Sequence, residues 1–121
     1  MTQRSVPMTQ AISVIIYPVK DLARAKRLYQ EFLGTEPYAD APYYVGFRIG
    51  DQEVGLNPHG LAEGMNGPVA FRAVDDIRAS LKSLLGAGAQ TQQDVKDVGG
   101  GKLTATVRDA DGNILGLMQE P

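Results

Sequence analysis

This chain states one pattern twice. Ile12, Val14 and Ile16 lead into Val19-Lys20-Asp21-Leu22 and a helical pattern that ends Phe32-Leu33-Gly34. Further on, Val69, Ala70 and Phe71 lead into Val74-Asp75-Asp76-Ile77 and a second helical pattern that ends Leu84-Leu85-Gly86. Each half closes on a strand carrying a Gly-Leu pair, Gly55-Leu56 in the first and Gly116-Leu117 in the second. Self-similarity over half of so short a chain points to an internally duplicated fold.

The local signals within each half agree. Residues 12–17 are β-branched and apolar on both parities, as in a strand covered on both faces. Asp21 is placed to cap a helix over about 21–33, with Leu22, Ala25, Leu28, Tyr29, Phe32 and Leu33 on its inward face and Gly34 as its stop. Strands over 43–49 and 52–57 flank Gly50-Asp51, which reads as a tight hairpin. That register pairs Phe47 with Val54 and Val45 with Leu56 on one face. It leaves Tyr44, Gly46 and Arg48 opposite Asn57, Gly55 and Glu53 on the other. A glycine-rich linker over 58–67 holds the single histidine, His59.

In the second half, a strand over 68–74 precedes a helix over about 76–86. Asp76 caps it, and Ile77, Leu81, Leu84 and Leu85 point inward. A weaker strand spans 91–98, the triple glycine 99–101 is a connector, and strands over 102–108 and 113–118 surround Asp109-Ala110-Asp111-Gly112. This turn fits a three-residue loop with Gly112 at positive φ. Leu103, Ala105 and Val107 then join Leu115 and Leu117 against the helix, and Thr104, Thr106 and Arg108 share the other face with Ile114, Gly116 and Met118. The expected fold is α+β, with residues 1–10 left outside it and a single domain over 11–121, its modules at about 11–60 and 67–120. Helices cover one face of the curved sheet. The opposite, concave face must be a pocket or an interface.

Composition narrows the function classes. Net charge is −2 with both signs interspersed, which gives no phosphate-backbone footprint and argues against nucleic acid. The absence of cysteine removes disulfides, thiolate metal sites and a cysteine nucleophile, and fits a cytoplasmic setting. No apolar run approaches a membrane span, so no membrane partner is expected.

The motifs resemble the vicinal-oxygen-chelate superfamily, the glyoxalase, bleomycin-resistance and extradiol-dioxygenase group. The likeness is carried by Val19-Lys20-Asp21-Leu22 with Tyr29 and Phe32-Leu33-Gly34, by Val74-Asp75-Asp76-Ile77, and by Asp109-Ala110-Asp111-Gly112-Asn113 before the last strand. It runs over residues 11–119. The resemblance implies paired βαβββ modules forming a cupped mixed sheet with helices on its outer face, commonly as homodimers, with the cup enclosing the site. It also implies metal ligands at strand positions that correspond here to Val14, Gly55, Val69 and Gly116. None carries a donor side chain, so no metal and no other cofactor is expected, and glyoxalase or dioxygenase chemistry loses its Lewis acid.

The remaining candidates are weighed against blander roles. His59 reads as a solvated loop residue, since one imidazole makes no metal site and no partner for it as a base is visible. Arg48 and Glu53 are either a surface ion pair or a polar anchor in a pocket wall. Thr104, Thr106 and Arg108 share that ambiguity; Tyr44, Phe71 and Met118 are either packing or adaptable apolar contacts. Asp109 and Asp111 read as turn residues bonding local amides. Arg72 falls on the helix-facing parity and is expected to snorkel or to pair with an acid. The leading expectation is a metal-independent binder of a small, partly apolar molecule, lined by Tyr44, Arg48, Glu53, Asn57, Phe71, Thr104, Thr106, Arg108 and Met118. The alternative is a metal-independent lyase, isomerase or hydrolase using Arg48, Glu53 or Tyr44; a third is a cup filled by its own side chains.

Overall fold

The computed structural model describes residues 10–121. The expectation that 1–10 stands outside the fold falls, apart from Gln10, outside the described residues. The fold is α+β: eight strands in mixed sheet and two helices, in the order β1 (Ile12–Pro18), α1 (Leu22–Leu33), β2 (Ala39–Ala41), β3 (Tyr44–Ile49), β4 (Gln52–Asn57), β5 (Val69–Ala73), α2 (Ile77–Gly86), β6 (Gln90–Asp97), β7 (Leu103–Arg108) and β8 (Ile114–Gln119). Each half is therefore βαβββ. The duplication extends to topology: β2-β3-β4-β1 and β6-β7-β8-β5 are the same neighbour order, fourth strand beside the first. β1 pairs in parallel with β4 and lies at the end of its module's four strands.

The chain divides into two compact units, Val14–Ala70 and a second that joins the described residues up to Ser13 with Phe71–Pro121. Short-range bonds explain why the start of β1 belongs with the second unit. The Ala11 carbonyl accepts from the Ala73 amide at 3.1 Å, and the Gln10 carbonyl accepts from Arg72 Nε at 2.7 Å. Arg72, expected to snorkel or to pair with an acid, thus donates to a backbone carbonyl.

Within Val14–Ala70, α1 begins where the Asp21 carboxylate accepts from the Arg24 amide at 3.0 Å, and ends at Gly34 with φ 71°. Gly50 takes φ 58°, which suits the first position of a hairpin turn matched to strand twist. The hairpin register is the expected one, Val45 with Leu56, Gly46 with Gly55, Phe47 with Val54 and Arg48 with Glu53. Val45, Phe47, Val54 and Leu56 form the core, packed by Leu22, Ala25, Tyr29 and Leu33 of α1. Leu28 and Phe32 depart from expectation: they are 66% and 73% exposed. The narrow hairpin supports only one stripe of the helix, so the residues at its margins stay in solvent. β2 is a further strand that the sequence reading lacked.

In the second unit the Asp76 carboxylate accepts from the Ala79 amide at 3.1 Å, and the Gln119 side chain accepts from the Ile77 amide at 2.8 Å. Two of the orphan donors of α2 are satisfied this way. Val74, Ile77, Leu81, Ala105, Val107 and Leu117 make the core, with Leu84 and Leu103 against it. Leu85 and Leu115, expected inward, are exposed. Asp109 accepts from the amides of Asp111 and Asn113 and from Asn113 Nδ2, so it is the turn residue its position implies.

Candidate functional site

Alternation along β3 and β4 commits Val45, Phe47, Val54 and Leu56 to the helix and turns Tyr44, Gly46, Arg48, Glu53 and Gly55 to the opposite face. Gly46 and Gly55 are direct cross-strand partners, so this face has a gap two residues wide. Aromatic rings close it. A Cβ on Gly55 would lie 2.2 Å from the Tyr44 hydroxyl oxygen, and one on Gly46 would lie 2.9 Å from the Tyr44 ring and 3.0 Å from that of Tyr38. Both tyrosines therefore lie against the sheet where glycine has no side chain, an arrangement that restores packing glycine gives up.

Polar groups fix the rings. The Tyr44 hydroxyl donates to Glu53 Oε2 at 2.6 Å. The guanidinium carbon of Arg48 sits 4.2 Å from the Tyr38 ring centroid, within cation–π range. Its Nη2 is 3.8 Å from Glu53 Oε1, an ion pair too long for a hydrogen bond. Burial, with the neighbouring Glu53 carboxylate behind it, pushes the Tyr38 phenol up to about 12. The same causes in the same order raise Tyr44 further, so both phenols are proton donors across the physiological range. Asn57 is not part of this group. Its side chain donates to Glu63 at 3.0 Å and accepts from the His59 amide at 2.8 Å, which ties it to the following loop. His59 is exposed.

The second unit repeats the device on its own sheet. A Cβ on Gly116 would meet Phe71 Cδ2 at 2.4 Å, so the Phe71 ring covers Gly116 as Tyr44 covers Gly55. Around it, Thr106 opposes Gly116 and Thr104 opposes Met118. Thr106 is buried and its hydroxyl donates to the Gln92 side chain; Met118 is buried, and its sulfur accepts from Ser13 Oγ at 3.2 Å. Arg108, on the same strand parity, lies at the exposed end of β7 opposite Ile114.

The sequence reading missed Tyr38 and Gln92. Gln92 lies in a strand whose pairing with β7 shifts register between Thr91 and Gln93, which hides its parity. Tyr38 precedes β2 and carries no periodic signal; its amide bond to the Gly46 carbonyl at 2.9 Å is what brings it over the hairpin.

The metal that the resemblance implies does not fit these residues. Val14 and Val69 are buried and carry only hydrocarbon. At positions 55 and 116 the space in which a ligating side chain would begin is taken by the Tyr44 and Phe71 rings. Among the described residues no group of three or more His, Cys, Asp or Glu is arranged to hold an ion.

The model of the Glyoxalase/Bleomycin resistance protein/Dioxygenase superfamily matches residues 11–117, and the chain belongs to that superfamily. No curated protein matches it in sequence. Solved structures similar to it include a Legionella pneumophila protein described as an NAD-dependent benzaldehyde dehydrogenase, at TM-score 0.74 and 16% identity over 89% of this chain and 98% of that one. A superfamily member from Vibrio splendidus 12B01 has TM-score 0.68 and 16% identity over 88% and 97%. The methylmalonyl-CoA epimerase of Mycobacterium tuberculosis has TM-score 0.68 and 14% identity over 97% and 93%. At such identities the likeness speaks to fold alone.

Proposed function

We propose that this chain is a metal-independent member of the superfamily that binds a small, partly apolar molecule on the sheet face opposite its helices. The observation that carries this reading is the pair of rings over Gly55 and Gly116, which replaces donor side chains by aromatic surface at both positions. Tyr38, Arg48, Glu53 and Tyr44 add an organised polar edge to that surface in the first unit. The enzyme alternative is weaker here, because Glu53, its natural base, already accepts from the Tyr44 hydroxyl at 2.6 Å. A homodimer belongs to the same proposal. Leu28 and Phe32 of α1, exposed beside the part-buried Tyr17 and Tyr29, form an apolar strip suited to association.

A thermal-shift screen of small metabolites and hydrophobic antibiotics, run with a chelator present, tests the binding claim. Stabilisation by one compound class, undiminished by the chelator, is the expected result. Stabilisation that appears only with added divalent metal would overturn it.

A further inference from the structure

We infer that Arg48, stacked on Tyr38, is the anchor for the carboxylate of a monoanionic ligand with a planar apolar body. This rests on the small-molecule reading above and adds the charge class and the point of attachment. Three features of the first unit carry it.

The guanidinium is held in place yet accessible. Its carbon lies 4.2 Å above the Tyr38 ring, while the Arg48 side chain keeps 60% exposure. A guanidinium this exposed keeps N–H donors open to a ligand, and that fork matches a carboxylate in geometry and charge.

Its acidic neighbour does not neutralise it by a close bond. Glu53 approaches no nearer than 3.8 Å, and its Oε2 accepts from the Tyr44 hydroxyl at 2.6 Å. The Tyr44 hydroxyl competes with Arg48 for that carboxylate. Glu53 also sets the ligand's charge. A negative group this close repels a dianion such as a phosphate monoester more than a monoanion.

The surface beside the anchor is aromatic. Gly46 and Gly55 let the Tyr44 ring lie close on the sheet beside the Arg48–Tyr38 pair, which gives a planar apolar group an aromatic neighbour next to the charge.

Calorimetric titration with 2-naphthoate and its neutral isostere 2-naphthamide tests the anchor. Wild type is expected to bind the carboxylate about 10- to 100-fold tighter than the amide, the range a charge-assisted hydrogen bond supports. Arg48→Gln should erase that preference with little change in amide affinity, and Arg48→Lys should restore part of it. Glu53→Gln should tighten naphthoate, and naphthyl phosphate should gain more from that change than naphthoate does. Arg48 is exposed, so its variants are expected to fold, and their melting temperatures check this. Equal affinity for carboxylate and amide, or a preference that survives Arg48→Gln, overturns the anchor and leaves the small-molecule reading standing. Failure of both probes to bind overturns the anchor and counts against that reading as well.

Discussion

Tyr44 and Gly55 form one structural unit: the tyrosine hydroxyl oxygen lies 2.2 Å from the point where a Cβ on Gly55 would be. The ring cannot simply yield to a larger residue, since its hydroxyl is bonded to Glu53 at 2.6 Å. The glycine is thus required by a neighbour rather than by its own backbone, which is not among the positive-φ positions.

Gly55→Ala should therefore destabilise by about 1–3 kcal/mol, the range for overpacking. In a Tyr44→Ala background the same change should cost little or nothing, because the added methyl fills vacated space. Urea unfolding of the four proteins in the cycle measures the coupling, expected at about 1–3 kcal/mol; additive effects would separate the two residues. Gly116→Ala and Phe71→Ala should couple in the same sense.

Tyr44→Phe keeps the ring and deletes the hydroxyl. Glu53, only 18% exposed, then loses its best donor. A loss of about 1.5–3 kcal/mol is expected for a bond to a charged acceptor, read from the denaturation midpoint. An unchanged midpoint would mean that water or Tyr38 takes over the acceptor.

Alkaline pH should expose both phenols. Tyr38 and Tyr44 are raised above the unfolded value of 10.0, Tyr38 to about 12. Between about pH 10 and 12 the unfolded chain has released protons that the folded chain still holds. Stability is then complete below pH 10 and falls as pH rises through that window. Denaturation curves across the window, with tyrosinate absorbance, should show late ionisation in wild type and a shallower fall in Tyr44→Phe.

If the apolar strip on α1 is the dimer contact, Leu28→Asp and Phe32→Glu should shift sedimentation equilibrium toward monomer. Both side chains are exposed, so monomer stability should move by less than about 0.5 kcal/mol. A wild-type monomer at micromolar concentration would remove the dimer from the proposal.

What was legible from the sequence was what local chemistry specifies. Asp21 and Asp76 as caps, Gly34 as a stop, Gly50 in the hairpin and the pairing of Arg48 with Glu53 each follow from a few adjacent residues. Helical periodicity marked the inward side of α1 but not how wide a stripe the hairpin beneath would cover, so Leu28 and Phe32 came out exposed. β2 has no β-branched or aromatic residue; it is a strand because β3 pairs with it. The absence of donors at 14, 55, 69 and 116 was plain in the sequence, whereas the rings over two of these positions were not. Phe71 meets Gly116 across a long stretch of chain, and Tyr38 reaches Arg48 from a segment with no periodic signal.

The metal content of the folded protein tests the central claim most directly. Elemental analysis of the purified chain, followed by calorimetric titration with zinc, nickel, manganese and iron(II), should give no stoichiometric binding, because Tyr44 and Phe71 occupy the space beside Gly55 and Gly116. An ion bound at one per chain, and coordinated by residues around positions 14, 55, 69 and 116, would contradict it.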